Sequence, residues 1–106
     1  IMTNSHNLFR GLYEFELARL KFYNSETEQG IALLQASYNN SGDPGALLNL
    51  SLQLINSGRY QEALTTIDLG IDRIKSYNNI RSGTRASKLA VLYEMRQDVT
   101  GFLAIQ

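Results

Sequence analysis

The sequence predicts an all-α fold made of antiparallel helix hairpins, with about five helices in total. Apolar residues recur at three- and four-residue intervals along most of the chain, which is typical of the buried side of an α-helix. The clearest stripe consists of Tyr60, Ala63, Leu64, Ile67, Ile71 and Ile74. No segment shows the strict alternation of a half-buried strand. Glycine, proline and asparagine cluster at a few points between the periodic segments, which predicts short turns there.

The first hairpin is predicted from two apolar stripes and a capping signal. Residues 1–7 are polar and are expected to form a disordered or frayed tail. The first helix is then predicted over about 8–23, with apolar residues on more than one side. Ser25 and Glu28 have the spacing of a capping box, which predicts a second helix over about 26–39.

The second hairpin follows the strongest break in the chain. Asp43 is a good N-cap and Pro44 suits the first position of a helix, so a third helix is predicted over about 44–57. Gly58 is expected to end it in the left-handed conformation. A fourth helix is predicted over about 60–77.

The last helix is predicted over about 85–104, after a connection that contains Ser82-Gly83-Thr84. The pair Gln97-Asp98 is a candidate break within it, and Gly101 weakens its end. This helix is expected to cap the hairpins, although a truncated further repeat is an alternative.

Composition excludes several classes of function. The 106 residues have room for one domain, and 43% of them are hydrophobic, which is too many for a disordered chain. Ten Lys and Arg balance ten Asp and Glu, so no positive field favours nucleic acid. The absence of cysteine excludes disulfides, thiolate metal sites and a cysteine nucleophile.

The sequence leaves the compartment open between cytoplasm and periplasm. No apolar stretch approaches the ~20 residues of a membrane span, so direct membrane insertion by this segment is not expected. Residues 1–7 do not resemble a signal peptide. Because Ile1 precedes Met2, we expect the chain to be a domain excised from a longer protein.

An internal repeat relates the two hairpins. Leu17-Ala18 aligns with Leu50-Ser51, 33 positions later. At this offset small residues of the first hairpin align with small residues of the second. Small side chains at these positions allow the two helices of each hairpin to pack closely. The aligned pairs are Ala18 with Ser51, Gly30 with Ala63, and Ser37 with Gly70, while Ser25 aligns with Gly58.

This pattern resembles the tetratricopeptide repeat, whose period is about 34 residues. Leu50, Ser51, Gly58, Tyr60 and Ala63 carry the resemblance. It implies a short superhelix of stacked hairpins, with one TPR-like domain over 8–106, hairpins at 8–39 and 44–77, and a capping helix at 85–104.

The resemblance also implies an apolar groove that binds a protein or peptide partner. Position by position, the groove residues are Leu12, Phe15, Arg19, Phe22, Tyr23, Leu52, Ile55 and Asn56. The alternative is that the last helix or a neighbouring repeat packs there. A clamp for a partner's carboxylate is not expected, because apolar Phe15, Leu48 and Leu52 stand at several of the positions that would form it.

No catalytic, cofactor or metal site is expected. His6 is the single histidine and has no acidic or thiol neighbour. The carboxylate pairs Asp68/Asp72 and Glu14/Glu16 are expected on solvated helix faces. The sequence therefore predicts a non-catalytic protein-interaction domain. The alternatives are an accessory domain of a larger enzyme, such as a bacterial membrane glycan polymerase or oligosaccharyltransferase, and a homo-oligomerisation domain.

Overall fold

Five α-helices make up the described part of the chain, and the predicted all-α fold is confirmed. The structure, a computed structural model, describes residues 2–76 and 82–105, with side chains for 7–76 and 83–105. The helices are α1 (Met2–Tyr23), α2 (Thr27–Ser41), α3 (Pro44–Asn56), α4 (Tyr60–Ser76) and α5 (Ser82–Ala104).

The chain divides into two compact units, Ile1–Leu50 and Ser51–Gln106, with the boundary inside α3. Within the units, α1 packs against α2 and α4 packs against α5. The single TPR-like domain expected over 8–106 stays a prediction. The buried apolar residues of the first unit are Ala18, Ile31, Leu34, Ala46, Leu47 and Leu50. Those of the second are Leu54, Ala63, Ile67, Ile71, Ile74, Leu92 and Val99. Superhelical stacking of the hairpins stays a prediction.

In the first unit, α1 and α2 approach closely through small residues. A Cβ built on Gly11 would lie 2.7 Å from Cβ of Ser41 and 3.0 Å from the carbonyl oxygen of Ser37. The Ser37 hydroxyl donates to the carbonyl oxygen of Gly11 at 2.6 Å. At the other end of the pair, the ring of Phe22 occupies the space above Gly30. The two helices therefore run antiparallel.

Glu14 is buried in this interface, so the expected solvated position for it is wrong. Asn40 Nδ2 donates to Glu14 Oε1 at 2.6 Å, and Arg10 Nε lies 3.9 Å from Glu14 Oε2. The side of α1 that contacts α2 includes Gly11, Glu14 and Ala18 and is thus not its most apolar side. Periodicity of apolar residues alone does not reveal this arrangement.

The turn between α1 and α2 differs from the predicted capping box. Ser25 adopts φ 64°, and the N-cap of α2 is Glu26, which makes no side-chain cap hydrogen bond. The amide of Glu26 donates to Lys21 O at 2.8 Å, and the amide of Ser25 donates to Phe22 O at 3.0 Å. This is a Schellman arrangement that ends α1, with Ser25 at the left-handed position.

The turn between α3 and α4 repeats this geometry at the predicted offset. Gly58 has φ 73°, as expected for a left-handed C-terminal residue. The amide of Arg59 donates to Leu54 O at 2.9 Å, and that of Gly58 donates to Ile55 O at 3.0 Å. The two turns are thus the same local motif, with Ser25 in the place that glycine occupies in the second.

Exchanging these two turn residues is expected to change stability in opposite directions. Ser25→Gly removes the strain of a side chain in the left-handed conformation and should raise the free energy of unfolding by about 0.5–1 kcal/mol. Gly58→Ser introduces the same strain and should lower the free energy of unfolding by a similar amount. Chemical denaturation followed by circular dichroism measures both variants. Loss of stability in Ser25→Gly would contradict the assigned backbone geometry.

In the second unit, α4 and α5 run antiparallel and contact each other along their length. The rings of Tyr60 and Phe102 lie 5.0 Å apart at one end. Arg96 Nε donates to Asp68 Oδ1 at 2.8 Å in the middle. Lys75 Nζ lies 5.6 Å from the centre of the Tyr93 ring at the other end. Leu92 and Val99 are fully buried on α5.

Three predicted helix limits need correction. α1 begins at Met2, so the segment expected as a frayed tail is helical from that residue; it contains neither proline nor glycine to stop a helix. α2 continues to Ser41, where Gly42 with φ 70° ends it. α5 begins at Ser82, because a single glycine in a first turn costs a helix only about 1 kcal/mol.

Other limits agree with the sequence. The amide of Gly45 donates to Asp43 Oδ1 at 2.9 Å, so the predicted N-cap of α3 is confirmed. α5 continues through Gln97-Asp98 without a break. Tyr77, the predicted end of the fourth helix, lies outside the described residues.

Candidate functional site

The predicted groove residues of α1 do not share one environment. Leu12 and Tyr23 are exposed apolar side chains. Arg19 is exposed and forms an ion pair with Glu16, with 2.7 Å between Nη2 and Oε2. Phe22 is half-buried against Gly30 of α2, and its place in a groove stays a prediction. Its ring fills the space that the absent side chain of Gly30 leaves.

The predicted groove residues of α3 belong to the second unit. Leu52 and Asn56 are exposed there, and Ile55 is half-buried. These three residues lie within about one helical turn. A groove shared by α1 and α3 stays a prediction.

The largest exposed apolar surface of the first unit is one side of α1, which we call the outer α1 face. It consists of Leu8, Phe9, Leu12, Tyr13, Leu20 and Tyr23, with the ion pair of Glu16 and Arg19 among them. The six apolar residues are between 50% and 85% exposed. Helical spacing places all eight on one side, away from Gly11 and Ala18.

The size of this face falls in the range of interaction surfaces. Its three aromatic side chains alone leave on the order of 400 Å² in water, since one such side chain has roughly 150–250 Å² to bury. The largest apolar patch of a typical monomer is roughly 300–600 Å² and is often functional. The leucines increase the area further.

The outer side of α2 provides a contrast within the same unit. Its exposed residues are Glu28, Gln29, Ala32, Gln35 and Asn39, which are polar except for one alanine. One helix of the hairpin therefore has an ordinary solvated surface, and the other has an apolar one.

A small pocket lies at the edge of the outer α1 face. Its volume is about 240 Å³, which is below the roughly 300–1,000 Å³ of small-molecule sites and suits a single side chain. Leu12, Phe15, Glu16, Gly11, Ser37, Ser41 and Asp43 line it. Since Leu12 and Glu16 also belong to the outer α1 face, a partner that lies on the face would reach the pocket.

Groups suited to metal binding or membrane insertion are not found in the described segments 2–76 and 82–105. No three acidic, histidine or cysteine residues come together there as a metal site, and no helix is long and apolar enough to cross a membrane. The side chain of His6 lies outside the described side chains. Asp68 and Asp72 are exposed, in agreement with the solvated face expected for them.

Sequence reasoning missed four of the six exposed apolar residues of α1 as candidates. Leu8, Phe9, Tyr13 and Leu20 are all exposed on α1 but were not expected to bind a partner. The signal that could have identified them is the presence of two apolar stripes on one helix. A single neighbouring helix covers only one of them.

Comparison with protein-family models, with curated proteins and with solved structures gives no significant match.

Proposed function

We propose that this chain is a non-catalytic protein-interaction domain of the tetratricopeptide-repeat type, which binds a protein or peptide partner through the outer α1 face. The observation that carries the proposal is the exposure of six large apolar side chains on α1 beside a polar outer surface on α2. Leaving such a face in water is unfavourable, at roughly 25 cal/mol for each Å².

The repeat type is supported by local geometry at matched positions. Ser25 and Gly58 have the same left-handed backbone conformation, 33 residues apart. The next helical residues agree as well, since Gly30 N donates to Glu26 O at 3.0 Å and Ala63 N donates to Arg59 O at 2.9 Å. Two hairpin turns with the same backbone geometry at the repeat spacing are expected of a repeat protein.

The charge distribution supports a protein partner rather than nucleic acid. The chain has no net charge, and several cations of the described segments are held in ion pairs. Arg10 with Glu14, Arg19 with Glu16, Lys21 with Glu26, Arg59 with Glu62 and Arg96 with Asp68 are examples. Such pairs reduce the positive charge that is available to phosphate groups.

A photo-crosslinking experiment tests the proposal in cells that naturally produce the protein. p-Benzoylphenylalanine replaces Tyr13 on the outer α1 face or, as a control, Gln35 on the polar side of α2. We expect a specific protein adduct from position 13 and none from position 35. Equal adducts from both positions would contradict the proposal.

Substitution within the face is expected to abolish this adduct. With the crosslinker at position 13, Leu12→Asp should lower the adduct yield about tenfold, because a charge in the centre of an apolar interface typically costs more than 1 kcal/mol. The control Gln29→Asp adds the same charge to the outer side of α2 and should leave the yield unchanged. The mass of the adduct then shows whether the partner is a larger enzyme to which this domain belongs, another protein, or a second copy of this chain.

A further inference from the structure

We infer that the partner of the outer α1 face is a second copy of this chain, bound through antiparallel α1 helices with Glu16 of each copy against Arg19 of the other. This inference rests on the proposed function, since it names the occupant of the same face. It follows from the order of residues along the face.

The centre of the outer α1 face has the spacing of a helix–helix seam. Phe9, Leu12, Glu16, Arg19 and Tyr23 follow one another at intervals of three and four residues. This is the heptad spacing by which one helix packs along another at a shallow angle. All five positions lie on the side of α1 turned away from Gly11 and Ala18, and we call them the α1 seam.

The α1 seam is complementary to itself when it is reversed. If two α1 helices lie antiparallel, with the two-fold axis between residues 17 and 18, Glu16 meets Arg19 of the second copy. The same register places Leu12 against Tyr23 on both sides of this charged layer. At these four positions apolar residues meet apolar residues and opposite charges meet, as an isologous two-fold interface demands. Phe9 is opposite position 26 in this register, beyond the end of α1, and lies outside the paired stretch.

The ion pair in the middle of an apolar surface has a physical role in this arrangement. Glu16 and Arg19 side chains are 61% and 76% exposed, and they contact each other on one helix. In the pair of helices the four charges form one cluster. Polar residues at a single layer of a helix pair specify register and orientation at some expense of stability. A parallel pair would instead place Glu16 against Glu16.

The charge and the area are compatible with a weak dimer. The chain carries no net charge, so two copies do not repel each other at long range. The exposed apolar surface amounts to on the order of 600 Å² for each copy, which is slightly below the roughly 800 Å² of a standard interface. We therefore expect a dissociation constant in the micromolar range.

Sedimentation equilibrium tests the dimer and its charged layer. Over roughly 5–500 µM, the chain should shift from monomer to dimer. Arg19→Glu places like charges together and should weaken the dimer about tenfold, whereas the double variant Glu16→Arg/Arg19→Glu should restore affinity to within about threefold. Both side chains are largely exposed and their ion pair lies within α1, so we expect each variant to keep the same fold, which circular dichroism verifies.

Cysteine crosslinking tests the register, because the natural chain contains no cysteine. Leu12→Cys and Tyr23→Cys variants are mixed and oxidised. The mixed 12–23 disulfide should form several times faster than the 12–12 disulfide, and Gln35→Cys should give little crosslinking. Monomers at every concentration, a dimer unaffected by Arg19→Glu, or dominant 12–12 crosslinks would each overturn the inference.

The two proposals fail in different ways. A monomer whose position 13 still crosslinks to another protein would overturn the second-copy partner and leave the interaction domain standing. A chain that neither dimerises nor gives a specific adduct from position 13 would overturn both.

Discussion

Gly11→Leu is expected to lower the free energy of unfolding by about 3 kcal/mol, because overpacking at a helix contact typically costs about 1–3 kcal/mol and the neighbours here include backbone atoms. Even the first added carbon would lie 2.7 Å from Cβ of Ser41 and 3.0 Å from the carbonyl oxygen of Ser37. The helices would have to separate, and the hydrogen bond from the Ser37 hydroxyl to Gly11 O would be lost.

A glycine in open space provides the matched control. Nothing lies within 4 Å of a Cβ built on Gly101 in α5. Gly101→Ala should therefore stabilise the protein by up to about 1 kcal/mol, since alanine favours a helix over glycine by that amount. Denaturant unfolding compares the two variants. If Gly11→Leu unfolds at the same midpoint as the parent, the close approach of α1 and α2 is wrong.

Leu92→Ala is expected to lower the free energy of unfolding by about 3 kcal/mol, within the range of roughly 2–5 kcal/mol for removing a fully buried leucine side chain. Leu92 is 0% exposed on α5, where it packs in the second unit. A large loss would show that α5 is an integral part of this unit and not a loosely attached end.

The neighbouring residue supplies the control for this prediction. Val91 is 44% exposed on the same helix. Val91→Ala should therefore change stability by no more than about 0.5 kcal/mol. Thermal and chemical denaturation of both variants give the comparison, and equal losses would mean that the side of α5 that faces α4 has been assigned incorrectly.

The sequence was sufficient for the number and order of the helices and for most of their ends. Asp43, Pro44 and Gly58 have strong local preferences, and the structure uses each of them as expected. Serine is an ordinary N-cap and adopts the left-handed conformation only rarely, so the sequence favours a capping role that Ser25 does not have. Its equivalence to Gly58 at the repeat offset was the better guide.

The candidate site was less accessible to sequence reasoning. On α1, apolar periodicity indicates two stripes but does not show which side contacts α2. That contact is made through Gly11, Ala18 and the buried Glu14, so the side with the larger side chains remains in solvent. Of the residues that the resemblance assigns to the groove, Leu12 and Tyr23 are exposed, whereas Phe22 is half-buried.

The close contacts at both ends of the α1–α2 pair limit how the two helices can slide. Near one end Gly11 admits the backbone of Ser37, and near the other the ring of Phe22 lies in the gap above Gly30. A shear of one turn would drive larger side chains into both gaps. These contacts hold the outer α1 face in a fixed position relative to α2. A partner that docks on it would therefore lose little binding free energy to the ordering of this helix.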